Sequence, residues 1–254
     1  MNFRRPLNLL STKNVKTIKG EKFGFITYIM YFAPHKQNST GKSVCSHATK
    51  GCSNSCLFSA GFGGMYTDVE NGRINKTDYF FIDRKGFMKQ LIEEIAKYKA
   101  KHDKKEETIC IRLNGTSDIA WEKLKVGGKS IMELFPTIQF YDYTKNHFRF
   151  NRPLPSNYHL TFSRSENNEA EVERLLANGN NVAIVFDKLP KTYKGYKVIN
   201  GDISDLRFKD EKNVVVGLKY KNMTSKGADN KKAFDSGFAL RIKDLVELAA
   251  AIAA

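Results

Sequence analysis

The sequence has no apolar run that approaches the roughly 20 residues needed for a membrane-spanning helix, so no membrane association is expected. It also has no internal repeat and no low-complexity linker, and a single α/β domain over residues 1–254 is the simplest organisation. The segment 1–20 contains two arginines but only a short apolar piece, which makes it a poor signal peptide. We therefore expect a cytoplasmic protein.

Cysteine is scarce, with four residues in a chain of 254, and three of the four lie close together. In a reducing cytoplasm clustered thiols more often bind a metal or take part in chemistry than form a disulfide. The fourth, Cys110, falls within an apolar strand pattern. We expect it to be a buried core thiol.

The chain carries an excess of positive charge, with 42 lysines and arginines against 27 acidic residues and a net charge of +15. The basic residues are spread along the chain and do not form a single tail. Such a charge concerns partners and solubility and says little about fold. A nucleotide or nucleic acid is therefore one expected partner, and a set of solvated lysine-rich surfaces is the alternative explanation.

Strand and helix patterns alternate along the chain, and 41% of the residues are hydrophobic, enough for a sizeable core. Several strand patterns are near-continuous apolar runs, which is typical of parallel strands covered on both faces. We predict an α/β fold with mostly parallel strands, as a (β/α) barrel or partial barrel, with a doubly wound open sheet second. The predicted strands are 23–34, 107–115, 137–144, 157–165, 181–188, 196–202 and 213–220, and the predicted helices are 84–102, 119–136 in two pieces, 167–179 and 229–254.

Three segments complete this organisation. Residues 1–22 are predicted to form an N-terminal extension, and residues 229–254 a C-terminal helical segment. Residues 35–83 follow the first predicted strand and contain the clustered cysteines. They are predicted to be a metal-binding loop insertion, so that a Cys-rich loop comes directly after the first strand.

Polar residues occur at the carboxyl end of each predicted strand. Because these ends share one rim in a barrel, where active sites lie, we expect a common pocket there. Within strand 107–115, alternation places Cys110, Arg112 and Asn114 on one face. The candidate catalytic residues are Arg112, Asp118, Asp142, Lys145 and Asp202, and the candidate ligand-binding residues at these ends are Asn114, Ser163 and Arg164.

The three clustered cysteines are spaced C-x6-C-x3-C, and His47 lies between the first two. A [4Fe–4S] cluster held by three thiolates keeps one iron free for a substrate or cofactor. Zinc prefers a closed site of four ligands, which the three thiols and His47 could supply. We expect an iron–sulfur cluster at Cys45, Cys52 and Cys56, with zinc as the alternative.

A glycine-rich segment follows the last of these cysteines, and Gly61, Gly63 and Gly64 would let the backbone approach a bound cofactor. A three-cysteine loop placed after the first strand of a barrel, with glycine-rich sequence behind it, loosely resembles radical S-adenosylmethionine enzymes. Their usual spacing is C-x3-C-x2-C. This resemblance implies S-adenosylmethionine as a further cofactor.

Several blocks of the sequence resemble, in order, the phage gene product eighty-eight family. The resemblance covers roughly residues 25–240. It implies a phage or prophage origin, and hence the host cytoplasm, and it supports a site at the cysteine loop without implying a reaction. The matching blocks are the loop with Cys45, Cys52, Cys56 and Gly61, the block with Arg112, Leu113 and Asp118, and the segments 140–145, 160–166 and 201–208.

Three functions are consistent with these patterns. The first is an iron–sulfur, radical S-adenosylmethionine-like enzyme that acts on a nucleotide or nucleic acid. The second is a metal-stapled protein without turnover that binds nucleic acid or a host protein. The third is a Mg²⁺-dependent hydrolase that uses the carboxylates at the strand ends, Asp118, Asp142, Asp187 and Asp202.

The lysine-rich segment 219–232 follows the last predicted strand. Its functional interpretation is a flap that grips phosphate groups, and its alternative is a solvated loop.

Overall fold

The computed structural model of the protein describes residues 3–12, 15–56, 66–222 and 229–246, and it shows a mixed α/β fold built on one large sheet. All seven predicted strands are present within it. Within these ranges, no helix is both long and apolar enough to cross a bilayer. The strands are β1 (Leu10–Ser11), β2 (Phe25–Met30), β3 (Thr108–Arg112), β4 (Gln139–Thr144), β5 (Tyr158–Ser163), β6 (Val182–Phe186), β7 (Thr192–Tyr193), β8 (Tyr196–Asn200), β9 (Val215–Lys219) and β10 (Ala239–Leu240).

Helices connect the strands and cover the sheet. In the segment 35–83, predicted as a loop insertion, the described residues include two helices, α2 and α3, and the segment 1–22 contributes β1 and α1. Short 3₁₀ turns occur at Trp121–Lys123, His147–Asn151 and Arg207–Lys209. The helices are α1 (Val15–Glu21), α2 (Lys50–Asn54), α3 (Thr67–Ile82), α4 (Arg84–Asp103), α5 (Ile131–Leu134), α6 (Glu169–Ala177) and α7 (Lys232–Asp235).

The sheet runs in the order β1-β2-β3-β4-β5-β6-β9-β8-β7. Neighbours from β2 to β8 pair in parallel, as predicted, whereas β1 and β7 pair antiparallel with β2 and β8. A closed barrel is not formed. The physical reason lies at the two outer strands, since β1 covers the free edge of β2 and the β7–β8 hairpin covers the opposite edge, so the two sides of the sheet do not meet.

Alternation along β3 separates the two faces of the sheet. Ile109 and Ile111 pack into a large core that includes side chains from α3 and α4. Cys110 lies on the other face, fully buried with Tyr141 and Leu206, as predicted. The same alternation decides, strand by strand, which polar side chains reach the site.

The C-terminal segment differs from the single helix predicted for 229–254. Within its described part, residues 229–246, only Lys232–Asp235 and residues 242–246 are helical, and between them β10 pairs in parallel with Val185 and Phe186 of β6. The pairing of β5 with β6 ends at Ala183, so the edge of β6 is open beyond that point. Backbone groups at such an edge need partners, and β10 supplies them.

Candidate functional site

The carboxyl ends of β3, β4, β5, β6 and β9 surround a cavity of about 240 Å³, called here the main cavity. Tyr143, Leu218, Tyr220 and Phe238 form apolar parts of its wall. The connection that follows β2 brings the three clustered cysteines to the same cavity. Nine of the candidate catalytic, ligand-binding and cluster-binding residues line it: Cys45, Cys52, Cys56, Arg112, Asn114, Asp118, Lys145, Ser163 and Asp202.

A second cavity of about 270 Å³ adjoins the main cavity and shares three lining residues with it. Eight of its nine lining residues have polar side chains. The residues that define this second cavity are His47, Ala48, Thr49, Lys145, His147, Ser165, Asn167, Asn168 and Glu171.

Asn114 organises the turn after β3. Its side-chain Oδ1 accepts hydrogen bonds from Ser117 Oγ at 2.7 Å, Ile119 N at 2.9 Å and Trp121 Nε1 at 3.1 Å. Its backbone N–H donates to Asp142 Oδ1 at 2.7 Å. Asn114 therefore shapes one wall of the main cavity, since its own amide oxygen is taken up by internal donors.

Asp118 joins that turn to the end of β4. Its carboxylate accepts from Thr144 Oγ1 at 2.7 Å and from the backbone N–H of Lys145 at 2.8 Å, and it pairs with Arg149 Nη1 at 3.3 Å. Its own N–H donates to the carbonyl of Val44 at 2.9 Å. Asp118 thus fixes the positions of Lys145 and of the segment just before Cys45.

A buried ion pair forms the floor of the main cavity. Arg112 Nη1 lies 2.6 Å from Asp205 Oδ2, and the two side chains are 6% and 14% exposed. The guanidinium also lies over the ring of Tyr143, 4.8 Å from its centroid. Burial raises the pKa of Tyr143, and the negative charge of Asp205 adds to this effect, so this phenol stays protonated at neutral pH.

Asp202 lies at the end of β8, beside β9. One carboxylate oxygen accepts from the backbone N–H of Lys219 at 2.8 Å, and the other lies 3.2 Å from Lys221 Nζ. Lys19 Nζ from α1 donates to the Asp202 carbonyl at 2.6 Å. The carboxylate therefore closes the wall between β8 and β9 and neutralises one of its lysines.

Two of the candidate residues lie on the opposite face of the sheet. Asp142 is fully buried behind β4, where it accepts from Asn114 and Tyr158, and burial raises its pKa to about 7. Arg164 pairs with Glu169 at 2.7 Å and donates to the Gly237 carbonyl at 2.7 Å, which holds β10 in place. Each is next in sequence to a residue whose side chain lines the cavity, so alternation places its own side chain on the other face of the sheet.

The cysteine helix α2 is held by a residue far along the chain. Glu166 accepts hydrogen bonds from Thr49 Oγ1 and from the Gly51 backbone N–H, both at 2.7 Å. Thr49 in turn caps α2 by accepting from the Cys52 N–H at 3.1 Å. Gly51 has no room for a side chain, because an added Cβ would lie 2.7 Å from Ser236 Oγ and 2.8 Å from Glu166 Oε2. These contacts fix Cys52 at the cavity wall.

Cys45 is held separately, against the turn after β3. Its backbone N–H donates to Ser43 Oγ at 3.0 Å, and its thiol contacts the Thr116 carbonyl at 3.7 Å. Burial is the largest cause that raises the pKa of this thiol to about 12, and negative charge on Cys56 and Cys52 contributes to the same increase. The thiol is therefore protonated at neutral pH in the metal-free protein.

We expect Cys45 in metal-free protein to react slowly with iodoacetamide, because the thiolate is the reacting form and a pKa of about 12 leaves well under ~1% of it at pH 8.5. The rate should be at least ~10-fold below that of a peptide thiol and should rise with pH from about 7 to 10. Mass spectrometry of the labelled Cys45 peptide measures it. Labelling as fast as in the urea-unfolded chain would contradict the burial of this thiol.

The three thiols have the donor chemistry of an iron–sulfur site, since soft thiolates are the usual ligands of such clusters. All three line one cavity, and they are near enough for their charges to interact. In the described parts of the chain, no group of three His, Cys, Asp or Glu side chains already converges on one point as a metal site would require. The donor set therefore fits a cluster, and binding one would require the thiols to turn toward each other.

Parts of the predicted site lie outside the described residues. This applies to Gly61, Gly63 and Gly64, and to residues 223–228 of the predicted flap. The described beginning of that flap, Lys219 and Lys221, lines the main cavity.

The sequence model of the family described as Gene product 88 matches residues 7–240, which is most of the chain. The chain belongs to this family. No curated protein and no solved structure matches the chain. The looser resemblance to radical S-adenosylmethionine proteins gains no support from these comparisons. The family blocks have clear structural roles in this fold, since they contain Asn114, Asp118, Glu166 and Asp205, whose contacts hold the cavity walls together.

Sequence reasoning did not select several residues that shape the site. Asp205 lies just beyond the predicted strand 196–202 and in a family block, Glu166 belongs to another family block, and Phe238 lies within a predicted helix. Lys19 belongs to the predicted N-terminal extension. Each of these reaches the site through a contact with a distant segment, as with Glu166 and Gly51, which are 115 residues apart. Hydrophobic periodicity carries no signal for such contacts.

Proposed function

We propose that the protein is an enzyme whose active site is the main cavity, with an iron–sulfur cluster held by Cys45, Cys52 and Cys56 and with a nucleotide or nucleic acid as its substrate. The observation that supports this most strongly is the meeting of the three thiols with the carboxyl ends of five parallel strands at one cavity. Active sites of open and closed α/β sheets lie at this end of the strands.

A cluster held by three thiolates would supply an iron with an open coordination position. The residues of the chain would do the rest. Glu166 and Asp118 keep the cysteine segment against the sheet, through the contacts to Gly51 and Val44. Lys145 offers positive charge to an anionic substrate from the side of the cavity, and Arg112, paired with Asp205, forms part of its floor.

The alternative functions gain less support. A Mg²⁺ hydrolase needs free carboxylates, but Asp118 and Asp142 each accept several internal hydrogen bonds, and Asp187 accepts from the backbone N–H of Ile242 at 3.0 Å. The other alternative is a binding protein without turnover, and the experiment below is designed to distinguish it from the proposed enzyme. We do not propose S-adenosylmethionine as a cofactor, because the family match gives no support for it.

The proposal is tested by purifying the protein without oxygen and measuring iron, sulfide, zinc and the visible spectrum. We expect wild type to contain iron and sulfide with broad visible absorbance, and the variant with Cys45, Cys52 and Cys56 all replaced by Ser to lose both. Cys110→Ser is the matched control, since Cys110 is buried on the sheet and contacts Thr27 Oγ1 at 3.3 Å. It should keep its metal.

Two results would overturn the proposal. Zinc without iron in protein from iron-replete cells would show that the thiols bind a structural zinc ion and not a cluster. Protein without any metal, after reconstitution with iron and sulfide, would leave a binding protein as the better account.

A further inference from the structure

Lys145 lies where the two cavities meet and lines both of them. Its Nζ donates to Ser163 Oγ at 2.9 Å and lies 5.6 Å from the centroid of the Phe238 ring. Within the described parts of the chain, no carboxylate lies within ion-pair distance of this ammonium, whereas Arg112 is paired with Asp205 and Lys221 with Asp202. A half-buried cation of this kind is free to pair with an anion supplied by a ligand.

The two cavities differ in the chemistry of their walls. The main cavity offers the rings of Tyr143, Tyr220 and Phe238, whereas the second offers imidazoles, amides and hydroxyls. Each cavity alone is smaller than the roughly 300–1,000 Å³ of ordinary ligand sites, and together they fall inside that range. A ligand that fills both would have a flat apolar part and a charged polar part.

We propose that Lys145 binds a phosphate group of the substrate, with the base in the main cavity and the phosphate reaching into the second cavity. Nucleotides combine these two parts, and aromatic side chains stack on bases. His47 and His147 face the second cavity and add donors, while Glu171, a carboxylate in the same wall, lies 3.9 Å from His147 Nδ1. The inference rests on the proposed function only for the place where the substrate binds.

The test uses isothermal titration with the four ribonucleoside 5′-monophosphates, their nucleosides, thymidine 5′-monophosphate and a strand of six thymidylates. Lys145→Met removes the charge and keeps the length of the side chain. For the nucleotides that bind wild type, we expect Lys145→Met to weaken affinity about 10- to 100-fold, the range of a charge-assisted hydrogen bond. Affinity for the matching nucleosides should stay within about twofold.

Two further variants separate charge from folding. Lys145→Arg keeps the positive charge and should retain most of the nucleotide affinity. Lys89→Met removes an equal charge from an exposed position on α4 and should change nothing. Urea unfolding of each variant checks that the fold is intact.

The affinities of thymidine 5′-monophosphate and of the strand of six thymidylates are compared to find whether the phosphate belongs to a free nucleotide or to nucleic acid. Tighter binding of the strand than of thymidine 5′-monophosphate assigns the site to nucleic acid, and equal binding assigns it to free nucleotides. No binding by any of these probes at millimolar concentration, or an equal loss for nucleosides and nucleotides, would overturn the inference. Each titration is run on metal-loaded and metal-free protein, so that absence of a cluster and absence of a phosphate site are distinguished.

Discussion

Asp205→Ala is expected to lower the free energy of unfolding by about 3–5 kcal/mol, the cost of leaving one member of a buried ion pair without its partner. Arg112 is 6% exposed and lies 2.6 Å from Asp205. Among the described residues its Nε has no hydrogen-bond partner, so the guanidinium depends on the carboxylate for much of its compensation. Urea unfolding monitored by circular dichroism measures the change.

Two variants make this result interpretable. Glu211→Ala breaks the exposed pair with Lys197, whose members are 60% and 62% exposed, and should cost less than about 1 kcal/mol. Combining Asp205→Leu with Arg112→Met removes both charges and should recover much of the stability. If Asp205→Ala unfolds at the same urea concentration as wild type, the ion pair does not stabilise the floor of the cavity.

Asp118→Ala is expected to destabilise the protein by about 3–5 kcal/mol and to weaken binding at Lys145. It removes two charge-assisted hydrogen bonds, from Thr144 Oγ1 and from the Lys145 backbone, at about 1.5–3 kcal/mol each. Arg149 keeps its pair with Glu122 at 2.7 Å, so its charge stays compensated. Urea unfolding and titration with the nucleotide that binds wild type measure the two effects.

The control for this variant is Asp83→Ala. Asp83 caps α4 through one hydrogen bond to the Gly86 N–H at 2.8 Å, so its loss should cost about 1 kcal/mol and leave nucleotide binding unchanged. Asp118→Asn keeps one acceptor and should fall between wild type and Asp118→Ala in both measurements. A catalytic role without a positioning role would instead leave the stability and binding of Asp118→Asn at wild-type values.

Much of the sheet could be predicted from the sequence, because several strands are near-continuous apolar runs, and alternation assigns their side chains to the two faces. The same alternation separates Arg112 from Ile111 and also turns Asp142 and Arg164 away from the cavity. Side chains along a strand alternate between its two faces with a period of two, so a position at a strand end does not by itself place a polar residue in the site. The face of each residue, and not only its closeness to the strand end, decides whether it reaches the cavity.

The rest depends on contacts between distant segments. Gly51 meets Glu166 and Ser236, and β10 forms where the edge of β6 is open, although the segment that contains it is predicted to be helical. Closure of a barrel is also a property of the whole sheet. The strand patterns are the same whether the outer edges meet or are covered by β1 and the β7–β8 hairpin.

The long-range docking of α2 has a consequence for the order in which the protein assembles during synthesis. Cys45 and Cys52 leave the ribosome early, but Glu166 follows Gly51 by 115 residues, and Ser236 and Phe238 come later still. Pairings over such separations form late, because the loop must close before the contact stabilises it. The Cys52 thiol therefore stays exposed through most of translation, and it reaches the cavity wall only after residues 166–238 have been made.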